Sequence, residues 1–340
     1  MRVAVVGAGA IGCLVGARLA RSGVDVTLVA RGANLHALQA QGLRFTEADG
    51  TTNLYRLRAV EDISLAGRLD VVILAVKAHQ VGPVAEGVAA ALQGDSVLIT
   101  MQNGIPWWYF HGVPGPNAGR AVESVDPHGR IAATIPAERI LGCVVYPAAE
   151  LTQPGCVHHV EGDRFPIGEL DGSLTPRAER ISHLFESAGL RSPILPDIRS
   201  EIWLKLWGNL CFNPLSALTR ATLADICAEP HTRELAAGMM REAAEVATKL
   251  GATFRVPLER RIEGAAKVGH HKTSMLQDVE SGRATELDAL LGSVIELAQL
   301  TSTPVPRLEA VYACTALLEH TVCKPVAPRA APARIAEKAA

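Results

Sequence analysis

The chain opens on Val3-Ala4-Val5-Val6, a short β-branched apolar run that passes at once into Gly7-Ala8-Gly9-Ala10-Ile11-Gly12. A helical stretch rich in Ala, Leu and Arg follows from Cys13 to Ser22, Gly23 ends it, and Val24–Val29 reads as a second buried strand. Residues 2–30 therefore read as a complete β-α-β unit. The three glycines have separable duties. Gly7 permits the tight turn, Gly9 lets a pyrophosphate approach the backbone, and Gly12 lets helix and strand pack closely. The helix start at Ala10 and Ile11 then offers free N–H groups to phosphates. The alternative is a tight strand–helix turn that binds nothing; the β-α-β context favours a dinucleotide site.

The residue at the end of the second strand separates the two nicotinamide dinucleotides. An acid there would hold the ribose 2′-hydroxyl of NAD, but the strand ends Leu28-Val29-Ala30-Arg31. A guanidinium fork pairs with a 2′-phosphate, so NADPH/NADP is the expected cofactor, the alternative being an ordinary surface arginine.

Strands recur at Val71–Val76 and Val97–Met101 with a helix-like segment over Gln80–Leu92, which implies a parallel sheet covered on both faces. Lys77 and Asn103-Gly104 follow those two strands directly, at the carboxyl edge where such sheets bind ligands. Lys77 can equally be a helix cap, and Asn-Gly is also a good turn dipeptide. Residues 107–125 read as irregular. Short strand-like pieces between Cys143 and Gly168 suggest an antiparallel extension of the same sheet.

After Pro196 the pattern becomes helical: Ile198–Phe212, Leu215–Cys227, His231–Leu250, Pro257–Gly264, Ser274–Ser281, Glu286–Gln299 and Pro306–Leu318, with Pro214, Pro230, Pro257 and Pro304 at boundaries. The expected architecture is α/β: an N-terminal Rossmann-like dinucleotide-binding domain over 1–196, then an all-α C-terminal domain over 197–323. Residues 324–340, rich in Ala, Pro, Lys and Arg, read as a flexible tail.

Within the first of those helices, Lys205, Asn209 and Asn213 recur every four residues beside an apolar face of Ile202, Trp203, Leu206, Trp207 and Leu210. A lysine on so apolar a helix must reach solvent or a ligand. The ridge is either a cleft wall or a snorkelling lysine with two bridging asparagines. Thr273-Ser274 opens a helix and can bind a carboxylate or cap the helix. Thr285-Glu286-Leu287-Asp288 looks like a helix start with Thr285 as its cap.

Bulk properties exclude several classes. Of 340 residues, 48 % are hydrophobic and 20 % charged, and the formal charge of −2 gives no broad footprint for nucleic acid or an anionic membrane. The seven cysteines have no C-x-x-C spacing, so neither a structural metal nor a disulfide framework is expected, and none is an obvious nucleophile. Val3–Val6 is too short for a secretory h-region, and no stretch has the ~18 apolar residues a membrane span needs. A cytoplasmic protein is expected.

Taken together, Gly7–Gly12, Val76-Lys77-Ala78, Gln102-Asn103-Gly104, Glu201–Pro214, Ser274-Met275-Leu276-Gln277-Asp278 and Thr285-Glu286-Leu287-Asp288 resemble the ketopantoate reductases over nearly all of residues 1–318. The resemblance implies a Rossmann-like domain followed by a helical domain with the active site between them. It also implies NADPH-dependent reduction of a 2-keto acid, 2-dehydropantoate, to pantoate in pantothenate and coenzyme A synthesis. It makes Lys205 the catalytic lysine that protonates the carbonyl oxygen, and Glu286 the acid facing substrate and nicotinamide. Asn209, Asn213 and Ser274 become substrate contacts, and Arg31, Lys77 and Asn103 cofactor contacts. Two features depart from the family pattern: His271 stands where a substrate asparagine would precede Ser274 by three, and Trp107-Trp108-Tyr109-Phe110 is an unusual aromatic run. A paralogue reducing another 2-keto acid, and a non-catalytic NADP(H)-binding regulator, are the competing readings. A small-molecule substrate is the expected partner, and a homodimer is compatible with the sequence.

Overall fold

Strand β1 (Arg2–Val6) leads through the glycine turn into α1 (Ala10–Arg21), and β2 (Asp25–Val29) returns parallel to it with Val3 opposite Val26. The chain continues through α2 (Gly32–Gln41), β3 (Leu43–Thr46), β4 (Thr52–Tyr55), β5 (Arg58–Val60), β6 (Val71–Leu74), α3 (Ala85–Ala91) and β7 (Val97–Thr100). Then come α4 (Arg130–Thr134), β8 (Ile140–Cys143), β9 (Ala148–Gln153), β10 (Cys156–Glu161), β11 (Ile167–Gly168) and α5 (Pro176–Ser187). The computed structural model describes residues 1–322, so the tail over 324–340 and Cys323 lie outside the described residues.

Seven strands form one sheet in the order β11-β8-β7-β6-β1-β2-β5. The pairs from β8 to β5 are all parallel, and β11 alone is antiparallel. Every residue of β6, β7 and β8 is buried, as both-face burial of a parallel sheet requires. The strand order reverses between β1 and β6, so the topological switch point lies at the carboxyl end of β1, where the glycine turn sits.

The antiparallel extension expected over Cys143–Gly168 is only partly realised. β11 extends the main sheet, but β9 and β10 belong to a second sheet, β4-β3-β10-β9. β10 pairs with β3 so that Val157 lies opposite Phe45, and both side chains are buried. The segment expected as helix over Gln80–Leu92 is an α-helix only from Ala85; two 3₁₀ turns precede it, the second containing Pro83.

The helical part comprises α6 (Ile198–Thr219), α7 (Leu223–Ala228), α8 (Pro230–Lys249), α9 (Leu258–Val268), α10 (Ser274–Glu280), α11 (Ser293–Leu300) and α12 (Pro306–Val322). A π-helical stretch, Asp288–Gly292, runs into α11. Pro230 starts α8 and Pro257 caps α9, as expected. Pro214 is different: it lies inside α6, which continues to Thr219 instead of stopping at Phe212. Proline forfeits one helical hydrogen bond, and burial of Leu210, Cys211, Leu215 and Ala217 on either side of it holds the helix together. The restart comes at Thr222, whose hydroxyl accepts from Asp225 N–H while the Asp225 carboxylate accepts from Thr222 N–H, a reciprocal cap.

The chain divides into two compact units. The first holds Met1–Asn103, Trp107–Ala121 and His128–Glu201; the second holds Gly104–Pro106, Val122–Pro127 and the described residues from Ile202 onward.

Candidate active site

In the first unit, the glycines occupy backbone positions that other residues could not. Gly7 has φ +103°, and a Cβ there would lie 2.7 Å from Val76 N. At Gly12 a Cβ would meet the Gly7 carbonyl oxygen at 2.0 Å. Gly9, by contrast, faces open space: nothing lies within 4 Å of where its Cβ would be. It is also the N-cap of α1 and offers no side chain to the first-turn N–H groups of Ala10, Ile11 and Gly12. An exposed, uncapped helix start beside an open glycine fits the pyrophosphate of a dinucleotide.

Two supports of this turn escaped sequence reasoning. Asn34 on α2 donates to the Ala8 carbonyl at 2.6 Å and accepts from Gly155 N–H at 2.8 Å, tying the turn to the second sheet. Gly16 brings α1 against β2, because a Cβ there would lie 2.8 Å from Leu28 Cδ2.

Arg31 is the exposed N-cap of α2, directly after β2. An acid does stand in its neighbourhood. The Asp62 carboxyl is held below the usual range, chiefly by the Ser64 N–H at 2.9 Å and to a minor extent by the charge of Arg31. Lys77 follows β6, half-buried, and its N–H donates to Gln80 Oε1. Gln102 joins the ends of β6 and β7 by donating from Nε2 to the carbonyls of Leu74 and Val76, at 2.8 and 3.0 Å. Asn103 comes next and is half-buried.

The aromatic run settles as packing. Trp107, Trp108, Tyr109 and Phe110 are each no more than 4 % exposed, and Trp108 Nε1 donates to Thr100 Oγ1 at 3.1 Å.

In the second unit, Lys205, Asn209 and Asn213 share one ridge of α6. From Glu201 to Ala217 every residue is buried except Lys205 and Asn209, one turn apart. The ridge is thus open for one turn and closes at Asn213, which is buried. Ser274 is the exposed first residue of α10; its neighbour Thr273 caps the helix, accepting from Leu276 N–H. His271 contributes its backbone: its N–H donates to the Gly269 carbonyl and its carbonyl accepts from Leu223 N–H.

Glu286 is half-buried one residue before the helix that starts at Leu287. The expected cap at Thr285 is corrected. Its hydroxyl donates to Glu319 on α12 instead of closing the helix start, which a buried carboxylate in reach out-competes. The helix entry is π-helical over Asp288–Gly292, with Tyr312 Oη donating to Asp288 Oδ1 at 2.8 Å. Such π turns recur at functional sites. Gly104, φ +84°, sits so close to this stretch that a Cβ would lie 2.1 Å from the Ala289 carbonyl oxygen, which instead accepts from Ile105 N–H.

A doubly wound parallel sheet opening on a ligand-ready glycine turn, followed by a helical unit with one polar window on a buried helix, defines a two-part nicotinamide-oxidoreductase architecture. Residues 3–172 match the family described as ketopantoate reductase PanE/ApbA, and residues 197–319 match its C-terminal part. The chain belongs to the ketopantoate reductase family and is an oxidoreductase of that family. It is 49 % identical over 314 residues to the 2-dehydropantoate 2-reductase of Mesorhizobium japonicum, covering 92 % of this chain and 96 % of that one. A Ralstonia solanacearum MolK2 structure assigned as a ketopantoate reductase matches with TM-score 0.89 and 40 % identity, over 94 % of this chain and 98 % of that chain. The fold is shared more widely: D-mandelate dehydrogenase, solved with NADH and anilino(oxo)acetate, matches at TM-score 0.82 with 20 % identity, over 95 % of this chain and 99 % of that one. No helix among the described residues is long and apolar enough to cross a membrane.

Proposed function

We propose that this chain reduces 2-dehydropantoate to pantoate with NADPH, in pantothenate and coenzyme A synthesis in the cytoplasm. The observation that carries the reading is the window on α6: in a family of keto acid reductases, the two residues left open between Glu201 and Ala217 are a lysine and an asparagine.

Gly7, Gly9, Ala10, Ile11 and Gly12 would hold the pyrophosphate, Arg31 the 2′-phosphate, and Lys77, Asn103 and Glu286 the nicotinamide end. When bound, the dinucleotide would supply the hydride that reduces the keto carbon. Lys205 donates a hydrogen bond to the carbonyl oxygen, stabilises the charge that grows there, and delivers its proton. Asn209 and Asn213 fix the carbonyl, the Ser274 hydroxyl receives the carboxylate, and Glu286 faces both ligands. The domain division at Asp197 and a homodimer belong to the same proposal.

A second reading, a paralogue acting on another 2-keto acid, is favoured by His271 in place of the family asparagine. The test is NADPH oxidation by the purified protein with 2-dehydropantoate and a panel of other 2-keto acids. Selective turnover of 2-dehydropantoate is the expected result. An inert 2-dehydropantoate beside a reactive alternative would transfer the assignment to the paralogue. Lys205→Ala should cut turnover by about 10²- to 10⁴-fold while NADPH still binds; unchanged turnover would remove Lys205 from the reaction.

A further inference from the structure

Arg261 stands on α9, and its guanidinium lies against α6 at Gly208. A Cβ at Gly208 would come 2.5 Å from Nη2, 3.0 Å from Cζ and 3.2 Å from Nε. The missing side chain at that one position is what lets the cation reach the helix backbone. Glycine is otherwise the poorest helix former after proline, so its place inside a buried helix calls for a reason of this kind. Gly208 is also the residue immediately before Asn209 and three after Lys205, which puts Arg261 on the row beside the open ridge.

Among the described residues, the charge on Arg261 has no carboxylate partner of the kind other half-buried arginines have. Arg164 and Arg177 each meet a buried carboxylate, Glu201 and Glu169, at 2.6 and 2.5 Å. Arg261 is half-buried as well, yet among the described residues its Nε is buried with no hydrogen-bond partner. Its field reaches Cys211, whose thiol burial pushes up to about 12 and Arg261 pulls the other way more weakly. A guanidinium held in low dielectric with a donor unsatisfied is costly unless an anion completes it.

A 2-keto acid carries such an anion next to its carbonyl carbon. The flat guanidinium fork matches a carboxylate in two parallel hydrogen bonds, whereas an ammonium does not. We propose that Arg261, admitted by Gly208, is the cation that recognises the substrate carboxylate while Lys205 addresses the neighbouring carbonyl oxygen. This rests on the keto acid reductase reading above and adds a cation to the hydroxyl assigned to Ser274. It makes the acid, and not a neutral carbonyl compound, the preferred substrate.

The experiment compares wild type, Arg261→Met and Arg261→Lys on a reactive 2-keto acid and on its neutral methyl ester. Arg261→Met should raise KM for the acid by about 10- to 100-fold, leave KM for NADPH and kinetics on the ester unchanged, and not lower the thermal midpoint. The preference of acid over ester then collapses, and Arg261→Lys, which keeps the charge but not the fork, should restore part of it. An unchanged acid-to-ester ratio in an active Arg261→Met enzyme would overturn the assignment. So would an equal loss on both compounds with a lowered thermal midpoint, the signature of packing alone. A wild type that reduces neither compound would instead sink the reductase reading, and Arg261 with it.

Discussion

Glu319 holds Thr285 with both oxygens of its carboxylate: Thr285 N–H donates to Oε1 at 3.1 Å and Thr285 Oγ1 donates to Oε2 at 2.8 Å, and both residues are buried. Because Glu286 is the next residue, α12 fixes the backbone from which the proposed active-site acid departs. Glu296 does a similar job nearby, accepting from the N–H groups of Glu123 and Ser124 and from the Ser124 hydroxyl.

Glu319→Ala leaves two buried donors of Thr285 without an acceptor, at a cost of about 1–3 kcal/mol. Urea unfolding should report that loss, and kcat should fall more than KM rises as Glu286 loses its fixed origin. Glu319→Gln, which keeps one accepting oxygen, should lie between. A stability loss with kcat intact would reduce the Thr285 clamp to a purely structural role.

The last two glycines of the turn should separate folding from binding. Gly12→Ala forces a methyl onto the Gly7 carbonyl oxygen and should destabilise by about 1–3 kcal/mol, read as a lower thermal midpoint. Gly9→Ala projects its methyl into open space, so the thermal midpoint should hold while the dissociation constant for NADPH rises. If Gly9→Ala binds NADPH as wild type does, the pyrophosphate does not pass over that residue.

Arg31 is exposed and free of any carboxylate clamp at hydrogen-bond distance among the described residues, with Asp62 already engaged by Ser64. Arg31→Ala should therefore raise KM for NADPH by about tenfold or more while that for NADH barely moves. Equal changes for both cofactors would dismiss the 2′-phosphate contact.

What the sequence made legible was local. The turn from Gly7 to Gly12 is read from six consecutive residues, and the α6 ridge from one helical period. What stayed hidden depends on long-range partners. Asn34 supports the turn only because Gly155 returns beside it, and β3 and β4 gain a sheet only when β10 pairs with Phe45 across more than a hundred residues of chain. Pro214 looked like a boundary because propensity says so, and burial on both sides overrides it. Trp107–Phe110 could be pocket wall or packing until the sheet residue Thr100 and the bare surface of Gly142 stood beside Trp108. Arg261 carried no local signal at all, since its meaning arises from Gly208 on another helix.

Alkaline pH should expose the buried thiols. Burial pushes Cys13 from 9.0 to about 12, and Cys211 likewise. A thiol raised in the folded chain stays protonated where the unfolded chain has already lost its proton, so the folded state binds more protons between about pH 9 and 12. Stability is then fully present below pH 9 and falls as pH rises through that window, by up to about 1.4 kcal/mol per pH unit for each thiol. Lysines and tyrosines titrate in the same range, so the readout is a difference: Cys13→Ala, a small change inside α1, should flatten the slope of urea stability against pH by about that amount. At pH 8 a thiol of this kind is ionised to only about one part in 10⁴, so Cys13 should react with a disulfide reagent no faster than the chain unfolds. A Cys13→Ala slope identical to wild type, or rapid labelling of Cys13 in the folded protein, would mean that water reaches the start of α1 more freely than the packing of Cys13 against the Ala8 carbonyl allows.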